Sequence, residues 1–343
     1  MNKLLVSLAF LALLLPPTTR VRAADPDPDD LSLTQATDVE VIVPPAAPPQ
    51  WQQLFPGTSP SPRASHALAY DTAREVAVLF GGANSSGSVL DDTWEWHSLT
   101  MTWVQRFPVH HPPARYGHVM AYDQARRVTV LFGGTDGYPD YGDTWLWDGN
   151  DWTQVSPVNT PGPRWATSMT YDSQRQAMVL FGGLALQLPL GDTWEWDGSN
   201  WVEQQIPGPS IRCCAGLAYD PTRGIAVLFG GNDAFQAFND TWERVGGGGW
   251  QEVNPSRSPS PRERPGTAYF PRHRSIILYG GEDFSYYDDT FLWDGRTWRT
   301  RQFDPRPAGR CCLGMVYDPR LGGVLIFGGS VSFVPSNDTW MFR

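Results

Sequence analysis

The chain has 343 residues, with 26 Lys and Arg against 36 Asp and Glu, and a formal net charge of -10. Lys3 is its only lysine. The clustered cations that nucleic acids and anionic membranes attract are therefore missing, and neither is expected as a partner.

Met1-Asn2-Lys3 is a short positive start, followed by an apolar run from Leu4 to Leu15 that only Ser7 interrupts. Pro16 and Pro17 end the run, and Val21-Arg22-Ala23 offers a cut after Ala23. This is the pattern of a secretory signal over residues 1–23, and the run is too short to span a bilayer. Those residues hold Lys3, Arg20 and Arg22 and no acid, so cleavage would take the net charge from -10 to -13. The expected location is secreted or periplasmic, with no membrane insertion after cleavage. Residues 24–50 are rich in Pro and Asp, cannot bury a core, and read as an extended linker.

From residue 51 onward the chain repeats with a period of about 50 residues, the length of a four-stranded propeller blade. A Gly-Gly pair begins at Gly81, Gly133, Gly182, Gly230, Gly280 and Gly328. An Asp-Thr pair follows each, at Asp92, Asp143, Asp192, Asp240, Asp289 and Asp338. A Tyr precedes each Gly-Gly unit, at Tyr70, Tyr122, Tyr171, Tyr219, Tyr269 and Tyr317. Seven residues before each Tyr stands an Arg: Arg63, Arg115, Arg164, Arg212, Arg262 and Arg310.

Each repeat reads as four strands. The first ends at the Tyr, the second is the apolar run before Gly-Gly, the third is Thr-Trp-x-Trp or a variant, and the fourth opens on the next Trp. Asp148-Gly149, Asp197-Gly198 and Asp294-Gly295 suit tight hairpins, because both central residues tolerate positive φ. The sixth repeat stops at Arg343 without a fourth strand, and Trp51-Gln52-Gln53-Leu54 matches one. The expected fold is all-β: a six-bladed β-propeller of four-stranded antiparallel blades over residues 51–343, closed by its N-terminal strand. Trp94, Trp145, Trp194, Trp242 and Trp340 are expected in the core, and the blades need no cofactor to hold together.

The Gly-Gly pair, the downstream aromatics and the upstream Arg resemble the kelch repeat, in the form common in exported bacterial proteins. The resemblance implies a binding module, since kelch proteins hold acidic partner peptides with arginines on this rim. It also implies two enzymatic alternatives, a copper oxidase and a sialic acid mutarotase. The oxidase needs His and Tyr ligands, and the six histidines here, His66, His97, His110, His111, His118 and His273, do not recur in a ligand pattern. The mutarotase needs an acid with a partner Arg at the channel mouth, for which Glu263 lies beside Arg262 and Arg264.

Strand order places the second-to-third loops and the blade-to-blade connections on one face. Candidate binding residues there are the six repeat arginines with Trp165, Tyr138, Phe235 and Tyr286, for a protein or carbohydrate partner. The competing reading pairs each Arg with an Asp of the Asp-Thr series. His66 and His118 share one repeat position and read as packed within their blades. Cys213-Cys214 and Cys311-Cys312 each follow the repeat Arg. In an exported protein each pair would form a bond between neighbours; buried free thiols and a metal site are the alternatives. No metal is expected, for want of a Cys-x-x-Cys or His spacing.

Overall fold

The structure is a computed structural model, and it describes residues 49–343. The expected signal segment and nearly all of the linker lie outside the described residues.

Second strands such as Val76–Phe80, Ser275–Tyr279 and Gly323–Phe327 are buried at every position. An unbroken run of β-branched and apolar residues suits a strand covered on both faces. Each is covered by its neighbours in an antiparallel four-stranded sheet and by the sheets stacked on either side. The first blade is Ala67–Asp71, Val76–Phe80, Thr93–His97 and Thr102–Arg106. Four further blades follow in the same order, each sheet built of consecutive strands. The helical content among the described residues is one 3-10 turn, Pro271–His273.

The sixth blade departs from consecutive order. Gly314–Asp318, Gly323–Phe327 and Thr339–Phe342 supply three strands, and Trp51–Leu54 is the fourth. It pairs antiparallel with Thr339–Phe342, with Trp51 opposite Phe342 and Leu54 opposite Thr339. Gln50 and Arg343 exchange both backbone hydrogen bonds beyond it, at 3.0 and 3.1 Å. The ring is thus closed by strands from the two ends of the chain, as the incomplete sixth repeat implied.

The core is divided among the blade interfaces. Val78 and Phe80 of blade one pack with Leu131, Trp147 and Trp152 of blade two. The same pattern runs round to blade six against blade one, where Leu325 and Phe327 meet Leu79 and Trp103. Each interface also carries one buried polar staple. The indole N–H of the fourth-strand Trp donates to the Thr of the preceding blade's Asp-Thr pair: Trp103 to Thr339, Trp152 to Thr93, Trp201 to Thr144, Trp250 to Thr193, Trp298 to Thr241 and Trp51 to Thr290, all at 2.9–3.1 Å.

Two local differences from the sequence reading have simple causes. The second-to-third connection of blade three, expected as a loop, is instead an extension of the hairpin, with strands Ala177–Ala185 and Leu188–Trp196 joined by Leu186 and Gln187 at positive φ. Trp94, Trp194 and Trp242 are partly buried rather than central. All five indoles of this series donate to the Asp two residues before them at 2.7 Å, but only Trp145 and Trp340 are buried. The fully buried tryptophans are the second aromatic of the third strand and the Trp near the start of the fourth, such as Trp96 and Trp103.

Trp51→Ala is expected to cost about 3–5 kcal/mol by removing a buried ring and the staple to Thr290. Denaturant unfolding measures this. A loss below ~1 kcal/mol would mean that the sixth blade does not depend on its borrowed strand.

Candidate binding face and channel mouth

The repeat arginines come first, because the rest of the face is built around them. Each guanidinium grips the Asp of its own Asp-Thr pair, as in Arg63 to Asp92 at 2.6 and 2.8 Å and Arg115 to Asp143 at 2.7 and 2.9 Å. The other four make the same pairing: Arg164 with Asp192, Arg212 with Asp240, Arg262 with Asp289 and Arg310 with Asp338. The same Nη1 donates to the carbonyl of the first Gly of each Gly-Gly pair, for example Arg115 to Gly133 at 2.9 Å. Arg63, Arg115 and Arg262 are 0% exposed, and Arg164, Arg212 and Arg310 are also buried. Burial works to raise Asp92, Asp143 and Asp338, but the Arg bonds outweigh it and hold all three carboxyls below their ordinary range.

The expectation that these arginines face a partner is therefore corrected. Their donors are turned inward, and three have an aromatic cover: Arg115 under Tyr141, Arg212 under Phe238 and Arg262 under Tyr287, at 4.0–4.2 Å. Three loop aromatics are thereby also withdrawn from the outer surface. The arginine explains why Gly-Gly recurs. Gly81 has φ of 61°, and a Cβ there would stand 2.6 Å from the Arg115 carbonyl of the next blade.

Two residues after each Arg the chain turns through positive φ, at Ser65, Gly117, Ala166, Cys214, Arg264 and Cys312. These six residues hydrogen-bond head to tail around the axis. Gly117 N–H donates to Ser65 O, Ala166 to Gly117, Cys214 to Ala166, Arg264 to Cys214, Cys312 to Arg264 and Ser65 to Cys312, at 2.7–3.3 Å. This collar rims a cavity of about 340 Å³, to which Tyr116, Trp165, His66 and His118 also contribute walls. At the opposite end the channel widens to about 600 Å³ between the six repeat tyrosines and side chains such as Met120, Met169 and Met315.

Five collar residues are small or sulfur-bearing; Arg264 is the exception. It donates to Glu282 at 3.0 Å. Burial works against its charge, but Cys214, Cys312 and Glu263 close by keep the guanidinium protonated. Burial pushes the Glu263 carboxyl up. The sequence signal for Arg264 was a large cation at a repeat position otherwise held by small residues, visible only once the register is known.

Of the other candidates, Trp165 is half-buried in the cavity wall, edge-on to Tyr116 at 5.9 Å. Tyr138 and Phe235 project from loop tips and are exposed. Tyr286 leans on Phe333, with ring centroids 5.2 Å apart. Leu186, Phe284 and Phe333, all three at positive φ, are exposed at the other tips. The expected bonds between neighbouring cysteines are also corrected. All four cysteines are free, and the two Sγ atoms of each pair touch. Each pair gathers a carboxylate: Cys213 and Cys214 with Glu263, and Cys311 and Cys312 with Glu282.

Six antiparallel blades, with Gly-Gly, Arg-Asp and Trp-Thr contacts recurring in each, define a kelch-type β-propeller. The KLHDC2/KLHL20/DRC7 Kelch-repeats domain matches residues 35–160 and 80–264, and the chain belongs to this family of kelch-repeat domains. A stretch of 109 residues is also 36% identical to the Arabidopsis thaliana serine/threonine-protein phosphatase BSL2, covering 29% of this chain and 10% of that protein. The chain thus spans only a small part of that relative.

Arg164→Ala would leave Asp192 partly buried without its cation, and is expected to destabilise by about 3–5 kcal/mol in denaturant unfolding; an effect below ~1 kcal/mol would remove the arginine from the framework. A second expectation concerns acid. His66 and His118 are buried, and burial lowers both, His66 to about 3 from 6.5. The unfolded chain takes up these protons below pH 6.5 while the folded chain refuses them, so stability falls as pH drops from 6.5 toward 3. The slope is at most ~1.4 kcal/mol per pH unit for each histidine. His66→Thr with His118→Thr, following Thr167 at the same repeat position, should flatten unfolding free energy between pH 6.5 and 4.5. An unchanged slope would assign the acid sensitivity elsewhere.

Proposed function

We propose that this kelch propeller is an extracytoplasmic module that binds a protein partner across the face carrying the collar and the second-to-third loops. A kelch propeller fits a protein-binding module. The loops of this face support the choice of surface. Five of the six second-to-third loops carry an exposed large apolar side chain, through Tyr138, Leu186 with Leu188, Phe235, Phe284, and Phe333 with Val334. Exposed aromatics and leucines spaced around one face of a rigid scaffold favour a macromolecular partner. The extracytoplasmic assignment is supported by the N-terminal sequence pattern alone.

The test is direct. Partner capture from the native extracellular or periplasmic fraction, followed by affinity measurement with the identified protein, should show at least a tenfold loss for Phe235→Ala combined with Phe284→Ala. Leu99→Ala, at an exposed turn on the opposite face, should change nothing. Equal affinity for both variants, with unchanged melting, would place the interaction elsewhere.

A further inference from the structure

Blades four, five and six place an unusual set of groups along one arc of the collar. Blade four contributes Cys213 and Cys214, blade five Glu263, Arg264 and Glu282, and blade six Cys311 and Cys312. Cys214, Cys312, Glu263 and Glu282 thus surround one guanidinium. That guanidinium is committed to Glu282 at 3.0 Å. No Arg or His forms an ion pair with Glu263 among the described residues, although it is partly buried beside two buried thiols. One sulfur from each of Cys213 and Cys214 and a carboxylate oxygen of Glu263 lie within 4.8 Å of one another. Two soft sulfur donors and one oxygen at that spacing make a coordination half-shell rather than a hydrophobic contact.

We propose that Cys213, Cys214 and Glu263 form a binding site for a thiophilic divalent cation of the zinc or cadmium class. Binding replaces two S–H bonds with two metal–sulfur bonds and releases two protons to solvent, with no change of oxidation state. Two thiolates bound to one tetrahedral cation with metal–sulfur distances near 2.3 Å stand about 3.8 Å apart. Arg264 attracts the Glu263 carboxylate from nearby but bonds to Glu282, which leaves the Glu263 oxygens available as ligands. The other cluster, Cys311, Cys312 and Glu282, is similar in composition, but Arg264 already occupies its carboxylate. The two clusters are therefore expected to differ in affinity, the first being the stronger.

Titrating the reduced full-length protein with Cd²⁺ under argon, and following the thiolate-to-cadmium charge-transfer absorption, tests the assignment. The expected result is saturation of a tight site at one equivalent, with Zn²⁺ competing for it. Cys213→Ser with Cys214→Ser should abolish that equivalent, whereas Cys311→Ser with Cys312→Ser should keep it. Ser65 and Ala64 stand at the same repeat positions in blade one, so the blade-four substitutions fit the collar, and melting curves verify folding. Glu263→Gln leaves both sulfurs in place and should weaken binding at least tenfold. No tight equivalent in the wild-type protein, a tight equivalent that survives loss of Cys213 and Cys214, or full affinity in Glu263→Gln would each overturn the proposal.

Discussion

The interaction on which the rest depends is the indole N–H of each fourth-strand Trp donating to a Thr in the preceding blade. It is polar, buried and directional, whereas the packing around it is not. Apolar burial drives adjacent sheets together but tolerates sliding. A hydrogen bond of about 3.0 Å between buried groups does not, because a displaced sheet would leave a donor and an acceptor unsatisfied. Six such bonds run in a cycle, ending with Trp51 on Thr290. The ring therefore has no terminal blade and no exposed central edge. The Thr of this staple stands next to the Asp that receives the repeat Arg. The Asp-Thr pair thus joins two networks, one between blades and one within each blade.

The arginine network has a second consequence. By spending its donors on an Asp and a glycine carbonyl, each Arg fixes the segment that leads to the axis. The collar of head-to-tail backbone bonds then forms from residues two positions later. Because backbone atoms carry the collar, its side chains are free to differ. The chain uses that freedom unevenly: Ser65, Gly117 and Ala166 leave one side of the opening bare, while Cys214, Arg264 and Cys312 crowd the other. Regularity holds the ring together, and departure from regularity gives the mouth its chemistry. The same division applies to the loops, where Tyr141, Phe238 and Tyr287 cover arginines while Phe235 and Phe284, a few residues away, reach solvent.

Much of the architecture was legible because a repeated register reports on itself. The Gly-Gly and Asp-Thr pairs located the blades, and a sixth repeat without a fourth strand pointed to Trp51–Leu54. The site was less legible. A one-per-repeat Arg fits equally with a ligand rim and with an internal clamp, and only the direction of the side chain separates them. Trp94 and Trp96 also look alike as neighbours in one strand, yet one meets Asp92 at the margin and the other is enclosed between sheets.

What the amino-acid order determined by itself was the set of short-range patterns: strand runs, turn residues, repeat spacing and the unfinished last blade. These follow from local backbone preference and from which residues avoid water, and they do not require knowing where the blades meet. What only the tertiary structure decided was the company each side chain keeps. Arg264 meets Cys214 and Cys312, from positions about fifty residues to either side, because ring closure brings equivalent positions of adjacent blades together at the axis. Charge balance, burial and coordination depend on distances through space, and a linear sequence does not state them.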